Sequence, residues 1–250
     1  MRTGFWAVEV PAGVRASWAV FDLAAGRAVA ERRPAGVFRS ASVVKVLLAL
    51  DFLRGRVVDG RDREMVAAML RASDDAAADE VWERGGRAEI VERMVRRAGL
   101  RETVPPPQDM PGWWGYTGIS AGDVVRVYRY ALEVPEGRFV LEQLGRMAEK
   151  GADGFDQVFG IAGAVPGPWA VKQGWSGFED VPDRRPAPEE LGLGRPALHT
   201  TGVVAGKIVA LLTLHPEGTS AEAAAGCVTA LTRAVIQVTG VGRGSFPEGQ

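Results

Sequence analysis

ASVVKVLLALDFL, residues 41–53, is the stretch on which the reading of this chain turns. It is apolar almost all the way round, with only Lys45 and Asp51 charged. That is the profile of a helix buried on every side. A lysine in such a helix is costly unless something uses it, because an ammonium taken out of water is destabilised. Ser42 opens the stretch, and Lys45 follows one turn later on the same face. A serine at a helix N-terminus sits in a positive field with free N–H groups nearby. Those donors can hold the oxyanion of an acyl-transfer intermediate. Burial lowers the pKa of a lysine, and a partly neutral lysine can take the serine proton, activating the nucleophile without histidine. A Ser-x-x-Lys pattern on its own is short enough to arise by chance; the buried context gives it weight.

The rest of the composition narrows the chemistry. The 250 residues are 46% hydrophobic and 24% charged, enough for one large domain or two small ones with a packed core. The formal net charge of −1 gives no bulk electrostatic reason to expect nucleic acid or an anionic membrane surface as partner. A single cysteine, Cys227, excludes an intrachain disulfide framework and a cysteine zinc cage, and two histidines, His199 and His215, leave little for a metal site. Basic residues are 26 arginines and four lysines, so each of Lys45, Lys150, Lys172 and Lys207 is worth examining. Residues 16–21 are too short an apolar run for a signal core, and no stretch approaches the ~20 apolar residues of a membrane span. The expectation is a cytoplasmic protein; the alternative is an exported one whose signal has been removed.

Outward from the central helix, residues 15–23 and 27–33 read as a β-hairpin turning at Ala24-Ala25-Gly26. Helices are expected over 61–72, 75–84 and 87–98, the last two broken by Gly85-Gly86. Residues 101–117, RETVPPPQDMPGWWGYT, form a long loop, since three consecutive prolines, Pro111 and two glycines exclude a helix. Helices follow over 120–132, with Ser120 and Asp123 as a capping box, and over 135–150. Strands return at 169–173, 197–205 and 207–214, with an irregular insert over 178–196, a final amphipathic helix over 220–238 and a loose Gly-rich tail. This is an α+β pattern: an antiparallel sheet built from both termini (about 1–40 plus 165–238), an inserted all-helical lobe (about 41–164) and a tail over 239–250.

Two further motifs stand in order behind Ser42 and Lys45. Ser73-Asp74-Asp75 lies between two helices, where a cap is the ordinary explanation. Lys172-Gln173-Gly174 lies near a strand end. Ser-x-x-Lys, Ser-Asp-Asn and Lys-Thr-Gly form the signature set of class A β-lactamases and penicillin-binding proteins; this chain has SVVK, SDD and KQG. Over residues 5–238 it resembles the serine β-lactamase/transpeptidase-like superfamily, closest to class A-related serine hydrolases of actinobacterial type. The resemblance implies the β-lactamase/transpeptidase-like fold and a serine acyl-enzyme mechanism without metal or organic cofactor. Its partner would be a small-molecule or peptide-like acyl substrate, with no nucleic acid and no membrane.

The resemblance also implies roles. Ser42 is the acylated nucleophile and Lys45 its activating partner. Ser73 relays a proton to the leaving group. Lys172 supplies positive charge for a substrate carboxylate. The backbone N–H groups of Ser42 and Trp175 form the oxyanion hole, and Gln173, Gly174 and Ser176 line the substrate. The departures matter as much. Asp75 replaces an asparagine and is acceptor-only when ionised, so it cannot donate to a substrate amide and should deter carboxylates. Gln173 replaces a threonine. No Glu-x-x-Leu-Asn, which positions the deacylating water in class A enzymes, is present. In the loop over 101–117 only Glu102 and Asp109 are acidic, and Asp109 falls nearest by offset as a candidate deacylation base.

Residues 202–208 are not a phosphate-binding loop: the glycine spacing is one residue short and no Ser or Thr follows Lys207. Trp113, Trp114 and Tyr116 either wall a pocket or pin the long loop, and His199 is expected to be a satisfied structural histidine. The reading is a serine hydrolase or acyltransferase acting on an amide, ester or β-lactam, poor at β-lactam turnover. The alternative is a non-catalytic binding protein that keeps the fold, with its cleft filled by the Trp113-Trp114 loop.

Overall fold

The structure, a computed structural model, describes residues 8–55, 58–110, 112–178, 191, 192 and 194–240. It is α+β, built on a five-stranded antiparallel sheet in the order β2-β1-β7-β6-β5. The strands are β1 (Arg15–Asp22), β2 (Arg27–Arg32), β5 (Trp169–Ser176), β6 (Ala197–Val204) and β7 (Lys207–Leu214). The two termini thus share one sheet, because β1 and β7 pair along their whole length, from Arg15 opposite Leu214 to Asp22 opposite Lys207.

Strand alternation sorts side chains onto two faces. Ile208, Ala210, Leu212 and Leu214 of β7 enter a core shared with the helices, while Val209 and Leu211 enter a second core. That second core contains Ala224, Val228, Leu231 and Val235 of α8 (Ala221–Thr239). Ser220 caps α8 by accepting from Ala223 N–H at 3.2 Å.

The helical elements are α1 (Lys45–Leu53), α2 (Gly60–Arg71), α3 (Asp75–Gly85), α4 (Ala88–Ala98), α5 (Ala121–Glu133), α6 (Pro135–Leu144) and the short α7 (Gly160–Ala164). Every residue of α1 is buried. Its one acidic residue, Asp51, accepts from Arg93 Nε (2.9 Å) and Nη2 (2.7 Å) and from Arg97 Nη1 (2.7 Å). Two arginines of α4 therefore replace the water that this carboxylate lost on burial.

Several elements differ from the expectation. Residues 41–44 form a 3-10 turn ahead of α1, so Ser42 lies inside that turn rather than at the first position of an α-helix. The loop over 101–117 contains a 3-10 turn at Trp114–Tyr116. Its start is held by Asp123, which accepts from Arg101 N–H, Glu102 N–H and the Thr103 hydroxyl at 2.7–3.1 Å. The helix expected over 135–150 stops at Leu144, because Ala148 and Ala152 N–H groups bond instead to Arg71 and Ala72 carbonyls beyond the end of α2. Two short strands, β3 (Val37–Arg39) and β4 (Gly118–Ser120), pair with each other, and Gly118 also bridges Val104 in the long loop. Three residues of strand carry too little periodicity to be read without their partner. Most of the insert expected over 178–196, and the tail beyond 240, lie outside the described residues.

Asp51→Ala should destabilise the fold by about 3 kcal/mol, the low end for a broken buried pair, since both arginines retain some contact with water. Chemical denaturation would read this directly.

Candidate active site

The site forms where the 3-10 turn, the loop entering α3 and strand β5 meet. Ser42 is 6% exposed, and its hydroxyl makes no hydrogen bond among the described residues. Ala41 before it has φ +44 and Ser73 has φ +55. Left-handed backbone is uncommon outside glycine and costs of order 1–3 kcal/mol. Here it occurs at both serine-bearing turns.

The Lys45 side chain has no exposed surface. Its Nζ donates to the Ser73 carbonyl at 2.5 Å and to Asp75 Oδ1 at 2.5 Å, and lies 4.6 Å from the centroid of the Trp114 ring. Lys172 is 1% exposed. Its Nζ hydrogen-bonds Ser73 Oγ, donates to the Gln173 carbonyl at 3.1 Å and lies 5.8 Å from the Trp175 ring. The two ammonium groups therefore converge on one residue, Ser73, from opposite sides.

Burial pushes Lys45 below the usual lysine range, and the Asp75 carboxylate pulls against that shift. Lys172 is pushed well below it, first by burial and then by the charge of Lys45. Two cations so close cannot both be charged cheaply. Lys45 meets the carbonyl of Ser73 and Lys172 its hydroxyl.

Gly174 explains why β5 passes so close to the nucleophile turn. A Cβ there would stand 3.0 Å from Val43 Cγ2, 3.2 Å from the Ser40 carbonyl and 3.2 Å from Val43 N. A side chain there would require the strand or the turn to give by a few tenths of an ångström. The turn is tied from the other side by Ser40 N–H to the Thr117 carbonyl (2.8 Å) and Ser40 Oγ to the Gly115 carbonyl (3.2 Å).

Not every residue expected in the cleft lies there. Gln173 points to the opposite face of β5, where its Nε2 donates to the Gln157 and Phe159 carbonyls at 3.0 and 2.7 Å. The strand alternates, so with Lys172 turned to Ser73 its neighbour must turn away. Ser176 Oγ accepts from Arg39 Nε at 2.7 Å and is committed to that bond. Asp109 is exposed, with no hydrogen bond or ion pair to any of the cleft groups, and Glu102 engages the loop start through its backbone. His199 is a satisfied core histidine: its Nδ1 accepts from Thr213 N–H at 3.1 Å, which leaves Nε2 to donate to the Arg39 carbonyl at 2.9 Å. Trp114 pins its loop through Nε1 to Asp79 Oδ1 at 2.8 Å while covering Lys45. Among the described residues no group of three or more His, Cys, Asp or Glu is arranged to hold a metal.

Asp153 was not legible in the sequence. It lies in the segment after α6 that was expected to be helix, and its Oδ2 accepts from Trp175 Nε1 at 2.8 Å. It acts electrostatically on both Lys45 and Lys172. Its Trp175 partner stacks on Phe155, with ring centroids 4.8 Å apart.

This is the fold of the serine β-lactamases and penicillin-binding proteins. The structure is similar to a class A β-lactamase from Mycobacterium abscessus (TM-score 0.66, 19% identity, covering 92% of this chain and 95% of that one). It is equally similar to PBP-A (TM-score 0.65, 16% identity, covering 92% and 91%) and to the TLA-3 extended-spectrum β-lactamase (TM-score 0.68, 12% identity, covering 90% and 93%). No family model matches the chain. Curated relatives in Mycobacterium tuberculosis and Mycobacterium bovis, described as "Putative lipoprotein LppW", are 35% identical over 175 residues, 65% of this chain; the match spans about half of their length, 54%.

Those relatives overturn the cytoplasmic expectation. A lipoprotein is exported and held at a membrane by its lipid, and that relationship points away from the cytoplasm. The absence of an apolar span never bore on a lipid anchor; among the described residues no helix is long and apolar enough to cross a membrane.

Lys45→Met should leave the melting temperature unchanged or higher. It removes a buried ammonium, and the carboxylate it strands, Asp75, is 71% exposed and stays hydrated. A large drop on thermal melting would make Lys45 a structural cation instead.

His199 and His215 both have pKa values lowered by burial from 6.5 to about 4. Between those values the unfolded chain binds protons that the folded chain does not, so the histidine contribution to stability should fall as pH drops from 6.5 towards 4 and be constant above 6.5. His199→Gln, whose amide can both accept and donate, should make that fall smaller in denaturation midpoints followed against pH.

Proposed function

We propose that this protein is a serine hydrolase or acyltransferase that forms an acyl-enzyme on Ser42 from a small-molecule or peptide-like amide, ester or β-lactam. The observation that carries the reading is the convergence of Lys45 and Lys172 on Ser73, beside the turn that holds Ser42. Ser42 Oγ attacks the acyl carbon. Its proton passes to the lysine–Ser73 network, and Ser73 Oγ returns a proton to the leaving group. The Ser42 and Trp175 backbone N–H groups receive the oxyanion; the close approach of β5 to the 3-10 turn at Gly174 supports this. Lys172 acts by tuning Ser73.

Deacylation is the weak step. It needs a base beside a positioned water, and the acidic side chains of the loop over 101–117 do not supply one at the cleft: Asp109 points to solvent. Trp114 covers Lys45. Losing a general base costs typically 10²–10⁴-fold.

A second reading has its own support. Lys45 is tied to Asp75 and the Ser73 carbonyl rather than to Ser42 Oγ, and an indole lies on it. That arrangement suits a binding protein that keeps the fold without chemistry.

Incubation with a panel of β-lactams and activated esters separates the two by intact-protein mass. The acyl-enzyme reading expects a covalent adduct on Ser42, absent in Ser42→Ala. With β-lactams it expects a burst of one equivalent followed by a slow steady rate. No adduct with any acyl donor, or equal labelling of Ser42→Ala, would falsify it. Fast turnover without an accumulating adduct would point to an unrecognised deacylation base.

A further inference from the structure

We propose that the acyl donor accepted by this site carries a cationic group, and no carboxylate, beside the bond that Ser42 attacks. The inference rests on the acyl-enzyme reading above and names the substrate class for it.

The cations of the site are turned inward. Lys45 and Lys172 are buried, and their ammonium groups are committed to Ser73, Asp75 and the Gln173 carbonyl. Arg39, at the far end of β5, is 3% exposed and directs its guanidinium to Ser176 Oγ and to the carbonyls of Ser176, Leu191, Gly192 and Arg195. Gln173 faces away from the site, and Ser176 Oγ, which accepts from Arg39, keeps only its neutral O–H to offer a carboxylate.

The anions face outward. The Asp75 side chain is 71% exposed although it pairs with Lys45. Asp153 is exposed while accepting from Trp175 Nε1 and Phe155 N–H. Asp79 is exposed while accepting from Trp114 Nε1. Asp75 Oδ1 lies 2.5 Å from Lys45 Nζ, and Asp153 holds the Trp175 indole whose ring centroid lies 5.8 Å from Lys172 Nζ, so both carboxylates adjoin the lysines.

Two features beyond the carboxylates point to a ligand there. Ser42 is 6% exposed as a residue, and its hydroxyl has no hydrogen-bond partner among the described residues. Aromatic rings adjoin the lysines: the Trp114 ring centroid lies 4.6 Å from Lys45 Nζ and that of Trp175 5.8 Å from Lys172 Nζ. Indole faces with nearby carboxylates are the environment in which a substrate ammonium is held. A substrate carboxylate would meet Asp75 and Asp153 without an outward-facing cation from Lys45, Lys172 or Arg39 to offset them. The bond changes are those of any acyl transfer: Ser42 Oγ bonds the acyl carbon, the bond to the leaving group breaks, and the serine proton ends on the leaving group or in solvent.

The test uses three p-nitrophenyl esters of matched chain length ending in a trimethylammonium, a methyl or a carboxylate group. Acylation is read as the burst of p-nitrophenolate, with the Ser42 adduct confirmed by mass and the Ser42→Ala background subtracted. Steering by local charge changes on-rates by roughly 10–10³-fold, so the cationic ester should acylate at least about tenfold faster than the anionic one. The ratio should contract at high salt. Asp75→Asn and Asp153→Asn should each shrink it, whatever happens to the absolute rates. If the neutral ester labels Ser42 but the ratio is near one, or if neither variant moves it, this inference falls and the acyl-enzyme reading stands. If no ester labels Ser42, the acyl-enzyme reading falls and takes this one with it.

Discussion

An ammonium group with no exposed surface, at the head of a helix with no exposed residue, has to be solvated by the protein, and much of the local architecture follows from that need. Lys45 finds a carbonyl, a carboxylate and an aromatic face. The carbonyl belongs to Ser73, whose left-handed backbone is sustained where the loop between α2 and α3 closes over the lysine. The carboxylate belongs to Asp75, the first residue of α3, next to Asp74, whose side chain caps that helix by accepting from Ala77 N–H at 2.9 Å. The aromatic face belongs to Trp114, held by Asp79 one turn further along the same helix. The start of α3 and the end of the long loop thus meet at one buried charge.

The same demand explains the pairing of the two lobes. Lys172 reaches Ser73 from the sheet while Lys45 reaches it from the helices, so a single serine links the two halves of the molecule. Gly174 lets β5 lie close to the 3-10 turn at Ser40 and Val43, and Ser40 N–H ties that turn to the Thr117 carbonyl just before β4. Backbone strain at Ala41 and Ser73 is tolerable because these contacts over-determine the geometry.

Substitution of a carboxylate for an amide at position 75 changes more than one hydrogen bond. An amide could both accept from Lys45 and donate outward; the carboxylate only accepts. It therefore favours the charged form of Lys45, against burial, and leaves a negative charge at the mouth of the cleft. Lys172, without a carboxylate in hydrogen-bond contact, is pushed further below the usual lysine range. Around Ser73 the cations are buried and the Asp75 carboxylate is exposed.

The all-apolar run of α1, the alternation of β1 and β7 and the order of the three motifs were legible in the sequence, because each is a local pattern or a fixed spacing. So were Ser42, Lys45, Ser73 and Lys172 as the residues to place together. What only the tertiary structure decided are the partners and the directions. Gln173 faces away from the cleft because strand parity, once Lys172 is committed to Ser73, leaves it no other side. Asp153 arrives because the segment after α6 gives its N–H groups to the carbonyls of Arg71 and Ala72, ending the helix that its composition favoured. Trp114 settles on Lys45 because a buried ammonium attracts whatever face the passing loop can offer. Residues that meet across tens of positions leave no periodic trace, since their proximity is set by which buried groups must be satisfied, and burial is known only once the chain has packed.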